Sequence, residues 1–345
     1  MKYSHTNASS MTRNYNKSIK KRPQQIMLLA TACLYFLSFS VNSFSLNQST
    51  KNSIKNIRRK SSLTSRLNQS TTTSQETASS VSLQWTDFYN TDQANTPVLL
   101  LHGLLGSKRN FASLASSLGA QLEKQRRIIA VDLRNHGDSD WSEQMSYTAM
   151  AQDVLDFLDS QNIKKVVLVG HSMGGKIAQA MSLMHPNRVE GLVVLDIAPV
   201  EYSRTDPHWK AVEDILHAIH AVDIGDGASK TEVDKMLRPT VPDPALRAFV
   251  LTNYDARKQG WKIPVGTIVQ QLEALAGFDV PQSKYDGDVF IIHGGQSRFV
   301  RHAYMDQIAD FFPNHMLTTI RGAGHWVHAE APDDTIALLK RFLDR

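Results

Sequence analysis

The chain has one cysteine in 345 residues, Cys33, in an apolar run near the amino terminus. The body beyond it has no thiol, which excludes disulfides, cysteine nucleophiles and cysteine zinc sites together. Acid is missing from the first 75 positions, which hold 12 Lys and Arg before Glu76 supplies the first carboxylate. The formal charge of +5 therefore belongs to the leader, and the remainder carries 26 basic against 33 acidic residues. A basic chain invites a nucleic-acid or anionic-membrane partner, but this body is acidic and has no Lys/Arg cluster interleaved with aromatics, so no nucleic-acid partner is expected. Thirteen histidines are present, yet there is no H-E-x-x-H and no ligand spacing of His with carboxylates. His217-x-x-His220 reads as one face of a helix, and neither a metal nor a cofactor is expected.

The leader reads as an address. Lys20, Lys21 and Arg22 precede the uncharged stretch IMLLATACLYFLSF, and Ser40, Val41, Asn42 and Ser43 follow it. A basic flank, a short apolar core and small residues at the −3 and −1 positions describe a signal peptide cleaved before Phe44. At 14 residues the core falls short of the about 20 that a span needs, so no stable span is expected in the mature protein; an uncleaved anchor is the alternative. Residues 44 to 75, rich in Ser, Thr, Asn, Lys and Arg, match a transit peptide in composition. The two parts resemble the presequence with which algae with complex plastids send proteins to the plastid through the secretory route. Secretion, the endoplasmic reticulum and the mitochondrion stay open, with a disordered linker as the plain alternative to a transit segment.

From about Val81 to the end, 81–345, short apolar runs alternate with helical patterns. VSLQW, PVLLL (Pro97 to Leu101), IIAV (Ile128 to Val131), VVLV (Val166 to Val169), LVVL (Leu192 to Leu195), VFII (Val289 to Ile292) and MLTTI (Met316 to Ile320) read as strands. Most are apolar on both faces, as parallel strands between two helical layers must be. Phe111, Leu114, Leu118 and Leu122 repeat at helical spacing, as do Met150, Val154, Phe157 and Leu158, and these helices supply the crossovers. Met173, Ile177, Ala180, Met181 and Met184 mark a further helix that His185-Pro186 ends. Between about 201 and 285 the strand signal gives way to helical text, which predicts a helical cap inserted between two strands of one sheet.

In this setting GHSMG, Gly170 to Gly174, is a G-x-S-x-G turn between an apolar strand and an amphipathic helix. That is the context of a nucleophile elbow, in which glycines let neighbouring backbones pass and the Ser172 hydroxyl stands out at the carboxyl edge of the sheet. A hydroxyl is a weak nucleophile and needs a base, with an acid to orient the base. His325, in RGAGHWVHAEAP, follows the last strand and is the expected base. His328 ranks below it as a packed or surface ring. The acid usually follows the seventh strand of such a sheet, but VFIIHGGQSRFV offers none between Val289 and Val300, and Ser297 stands in its place. Asp196, at the end of LVVLD, is the expected acid, since a carboxylate there is costly to bury unless an imidazole pairs it; a capping or loop-anchoring carboxylate is the alternative. The backbone N–H groups of Met173 and of Leu104, in LHGLLGS, are the expected oxyanion donors. His102 and Gly103 shape that loop. VDLRNHGDSDW, with Asp132, Arg134, His136 and Asp138, reads as a loop packed beside the elbow and held by internal hydrogen bonds. Lys176 reads as a structural or substrate-proximal cation.

LHGLLGSKRNF, VDLRNHGDS, VGHSMGGK, LDIAPVEY, HGGQS and RGAGHWVHAE, taken in order, resemble the alpha/beta-hydrolase superfamily, and within it the alpha/beta-hydrolase domain-containing protein eleven group and bacterial short-chain esterase relatives. The resemblance implies an α/β fold with a mostly parallel central sheet flanked by helices and a cap after the sixth strand of that fold. It also implies an acid at the end of that sixth strand, at Asp196, and hydrolysis of esters or thioesters of short to medium acyl chains. An acyltransferase or carbon-carbon bond hydrolase could use the same three residues, and a small-molecule receptor could use the same pocket. A carboxylate nucleophile, as dehalogenase and epoxide-hydrolase chemistry require, is absent from the elbow.

Overall fold

A computed structural model describes residues 81–91, 94–224 and 228–345. The presequence reading of residues 1–80, with its cleavage before Phe44, lies outside the described residues. Nine strands are described: β1 Trp85–Tyr89, β2 Val98–Leu101, β3 Ile128–Val131, β4 Val166–His171, β5 Val189–Leu195, β6 Tyr254–Asp255, β7 Gly260–Trp261, β8 Asp288–Gly294 and β9 His315–Ile320. Seven of them make one sheet in the order β1-β3-β2-β4-β5-β8-β9. Every pairing in it is parallel except β1 with β3.

The sheet carries helices on both faces, and the alternation of side chains along each strand assigns them. Leu99, Leu101, Ile129, Val131 and Leu168 join one apolar cluster with α2 (Tyr147–Ser160) and α3 (Met173–Met184). Val98, Leu100, Ile128, Ala130, Val167 and Val169 point the other way into a second cluster. That cluster is completed by α1 (Ala112–Gln121), with Leu114 and Leu118, and by the carboxyl-terminal helix Pro332–Leu343, with Ile336 and Leu339. Strands buried on both faces need apolar residues at every position, which is why β2, β3 and β4 read as unbroken apolar runs. At the edge the rule relaxes: β9 leaves Met316 and Leu317 exposed.

Between β5 and β8 lies an insertion of five helices: α4 (Pro207–Ala221), α5 (Lys230–Leu237), α6 (Pro244–Val250), α7 (Val265–Gln270) and α8 (Leu272–Ala276). Beyond β8 follow α9 (Met305–Phe311), α10 (Val327–Glu330) and, as α11, the terminal helix already described. The insertion follows the strand that ends just before Asp196, which is the fifth of the seven described strands of the sheet in chain order. The insertion is not purely helical, contrary to the sequence pattern, because β6 and β7 pair antiparallel with Tyr254 and Trp261 ring to ring at 5.6 Å. Two-residue strands are too short to print an alternation. The first strand is also displaced from expectation: VSLQW contributes only Trp85 to β1. Val81 and Leu83 are buried without joining the ladder, Val81 donating its N–H to the Asp153 carboxylate at 3.2 Å.

Both ends of the insertion are fastened to α3 by one side chain. Lys176 is buried, and its Nζ donates to the carbonyls of Val200 (2.8 Å), Ala276 (2.9 Å) and Gly277 (2.7 Å). The Tyr202 and Tyr147 rings lie 4.6 and 5.2 Å from the same nitrogen. Burial pulls its pKa well below that of a free lysine, while three carbonyl oxygens match the three N–H bonds of an ammonium. None of the described helices is long and apolar enough to cross a membrane.

Candidate active site

The β4 strand ends in a turn that only an unusual backbone can make. Ser172 has φ 52° and ψ −121°, a combination that costs a residue with a side chain on the order of 1–3 kcal/mol and persists only where its surroundings enforce it. Ser172 N–H donates to Leu195 O at 3.1 Å, and Ser172 O accepts from Lys176 N at 3.1 Å, so strand and helix grip the residue from both sides. The flanking glycines are obligatory. A Cβ on Gly170 would lie 2.2 Å from Gly174 O, and one on Gly174 would lie 2.2 Å from Leu101 O.

Parallel register carries this edge across the sheet. His171 is level with Leu195, and Leu195 with Ile292, so Asp196 emerges beside Ser172 on one side and His293 on the other. Asp196 takes φ 55°, a left-handed conformation that Asp tolerates better than most residues. Its N–H donates to Ile292 O at 2.9 Å. The carboxylate has no exposed surface. Its Oδ2 accepts from His325 Nδ1 at 2.7 Å, and its Oδ1 from His293 Nδ1 at 3.1 Å and from Gly294 N–H at 2.9 Å. Burial pushes the Asp196 pKa up, but the hydrogen bonds from His293 and His325, with the hydroxyl of Ser297, outweigh it and hold the group below the usual carboxylate range.

His325 sits in the loop between β9 and α10, and the loop is held on both sides of it. Glu330 accepts from Gly324 N–H at 2.7 Å and from Trp326 N–H at 3.0 Å. His325 O accepts from His171 Nε2 at 2.9 Å. Phe299 covers the His325 ring, centroid to centroid 4.3 Å. His328 is buried in α10 between Phe111 and His171, and burial lowers its pKa to about 4; it is a packed ring.

Ser172, His325, Leu104 and Met173 all line one cavity of about 300 Å³. Its outer wall comes from the insertion, through Trp209 and Ile215 of α4 and Phe249 of α6. Met173 is the first residue of α3, so its N–H has no partner within the helix. In the loop after β2, Leu105 N–H is already committed to His136 Nε2 at 3.1 Å and Leu105 O to Asn253 Nδ2 at 2.8 Å. Leu104, one residue earlier, reaches the cavity.

The loop read as structural is saturated. Asp132 accepts from Lys108 N–H at 2.7 Å and Asp138 N–H at 2.9 Å and pairs with the Lys108 ammonium. Arg134 forms a fully buried ion pair with Asp153 at 2.6 Å. His102 accepts from Leu133 N–H at 3.0 Å and donates to Gly103 O at 2.8 Å. His136 accepts from Leu105 N–H and donates to Arg134 O at 2.9 Å. Among the described residues, no group of three His, Cys, Asp or Glu is placed to hold a metal ion.

The sequence reading missed two residues at this edge. His171, inside the elbow motif, donates to the His325 carbonyl, and His293, inside the turn read as empty, donates to the Asp196 carboxylate. The HGG at the end of β8 was the available signal for the second.

The alpha/beta hydrolase fold family matches residues 96–214 and 245–332. The chain is 36% identical to Esterase YbfF of Escherichia coli over 72% of its own length and 94% of that protein's. It is also 36% identical to the sn-1-specific diacylglycerol lipase ABHD11 of Mus musculus, over 71% of this chain and 80% of that one. A solved marine microorganism esterase superimposes with a TM-score of 0.72 at 31% identity, covering 76% of this chain and all of the other. Fold, elbow and relatives agree, and the chain belongs to the alpha/beta-hydrolase family.

Proposed function

We propose that this chain is a cofactor-free serine hydrolase acting on carboxylic esters or thioesters of short to medium acyl chains. The observation that carries the reading is the hydrogen bond of 2.7 Å between the buried Asp196 carboxylate and His325 at the wall of the cavity that Ser172 also lines. In the proposed sequence, Ser172 Oγ attacks the acyl carbon while His325 Nε2 takes the hydroxyl proton. Asp196, ionised and immobile, holds Nδ1 and stabilises the imidazolium. The oxyanion accepts hydrogen bonds from Met173 and Leu104 N–H, each such donor contributing about 3 kcal/mol in the transition state. His325 then protonates the leaving alcohol or thiol, and water, activated by the same ring, releases the acid and restores Ser172. The apolar wall of Trp209, Ile215 and Phe249 supports an acyl chain as the group bound there.

The names of the relatives, an esterase and a diacylglycerol lipase, support ester cleavage, so the test uses both substrate types. A series of p-nitrophenyl esters and acylglycerols of increasing chain length is turned over by the 81–345 body, with Ser172→Ala lowering kcat by roughly 10⁴-fold or more. A fluorophosphonate probe labels the wild type and not the variant. Equal labelling of both would remove Ser172 from the reaction. The leader composition supports delivery to the plastid through the secretory route, and a reporter fused to residues 1–80 that stays in the endoplasmic reticulum or is secreted would overturn it.

A further inference from the structure

Asp196 has two imidazole partners where orienting a base requires one. Resting on the proposed Ser172–His325–Asp196 reading, we propose that His293 is a positioning residue for the acid: with Gly294 N–H it clamps Asp196 Oδ1, so that Oδ2 alone is presented to His325. A carboxylate only accepts, so both rings donate to it through Nδ1. The contacts divide cleanly, with His293 Nδ1 (3.1 Å) and Gly294 N–H (2.9 Å) on Oδ1 and His325 Nδ1 (2.7 Å) on Oδ2.

The two rings are not interchangeable. His325 lines the substrate cavity and His293 is not among the residues that do, so only His325 can serve Ser172. The carboxyl is set on a left-handed backbone at φ 55°, and its torsion toward His325 is fixed by whatever holds the other oxygen. In this chain the stretch from Val289 to Val300 has no carboxylate, and the end of β8 supplies a ring donor there instead. The groups facing the pair are His325 from the β9–α10 loop, Ser297 from the turn after β8, and Tyr202, whose pKa burial pushes well up, the Asp196 charge adding to it. One shell out stand His171 and His328, packed on each other and His171 also on the His325 ring, and Glu330 beneath the base loop.

Removing His293 has two consequences that a purely structural residue would not combine. The acid loses orientation, and its pKa, held down in part by the His293 hydrogen bond, rises. In the full-length protein, His293→Ala lowers kcat on a neutral ester by roughly tenfold, the scale of one hydrogen bond to a charged group, with KM little changed. The acidic limb of its kcat/KM profile moves to higher pH. His293→Asn, whose amide can donate from near the Nδ1 position, restores most of kcat. Fluorophosphonate labelling normalises each rate to folded sites. Wild-type kcat and pH profile in His293→Ala would overturn the assignment, as would equal impairment of both variants with an unmoved limb. Asp196→Asn separates the two readings: if it loses activity while His293→Ala does not, only the His293 assignment falls, and if it keeps full activity, both fall.

Discussion

Two pairs of histidines flank β4 along the carboxyl edge of the sheet, one buried and the other partly exposed, and they are held in opposite ways. On the side of β2 and β3, His102 and His136 stand 5.2 Å apart, and each accepts a backbone N–H at Nε2 and donates Nδ1–H to a carbonyl. Burial drives their pKa values down, to about 3 for His102, with His136 adding to the effect, and to about 4 for His136. On the side of β5 and β8, His325 and His293 give their Nδ1–H groups to one carboxylate. Burial and partners differ together between the two sides. A ring whose two nitrogens are both spent on backbone is a neutral strut. A ring with one nitrogen on an anion keeps the other for a proton and gains a counter-charge when it takes one.

The contrast breaks first, if it breaks, at the carboxylate. Asp196→Asn keeps the shape but denies His325 its counter-charge, and kcat falls by roughly 10⁴-fold while the thermal melt shows a folded protein; undiminished turnover would erase the distinction between the two sides. His136→Ala reports on the other side. It strands the buried Leu105 N–H and Arg134 carbonyl, at a cost of about 2–3 kcal/mol in denaturant titration. A large loss of kcat with unchanged stability would move the ring from scaffold to chemistry.

Acid sharpens the contrast. His102 and His136 refuse protons in the folded chain that they accept at about 6.5 when unfolded. Stability is therefore full above about pH 6.5 and declines as pH falls toward 4, by up to about 1.4 kcal/mol per pH unit for each ring. His136→Gln, which cannot titrate, flattens that slope in denaturant titrations at stepped pH. The smallest effect belongs to a histidine of neither kind: His217 is exposed on α4, and His217→Ala changes stability by less than about 0.5 kcal/mol and leaves kcat as it was.

What could be read in advance divides along a physical line. The strands buried on both faces and the glycine-flanked Ser172 were legible because backbone sterics dictate residue type at each position. Asp196 was reached because a carboxylate ending an apolar strand demands a partner. His293 was not, because its role depends on Leu195 lying level with Ile292, a register that neither strand states alone. The offset of β1 and the β6–β7 pair escaped for another reason: Val81 and Leu83 are buried without a ladder, and two residues carry no period. The helical insertion showed its composition but not which of its side chains would face the cavity.

Lys176 gives that insertion a particular freedom. Its three bonds go to carbonyl oxygens at Val200, Ala276 and Gly277, and every amino acid carries a carbonyl oxygen. Mutation can therefore rewrite the side chains of the insertion, and with them the wall of the cavity, without unfastening it from the helix that carries Ser172. A fastening indifferent to side-chain identity lets the shape of the cavity drift over evolutionary time while Ser172 stays in place.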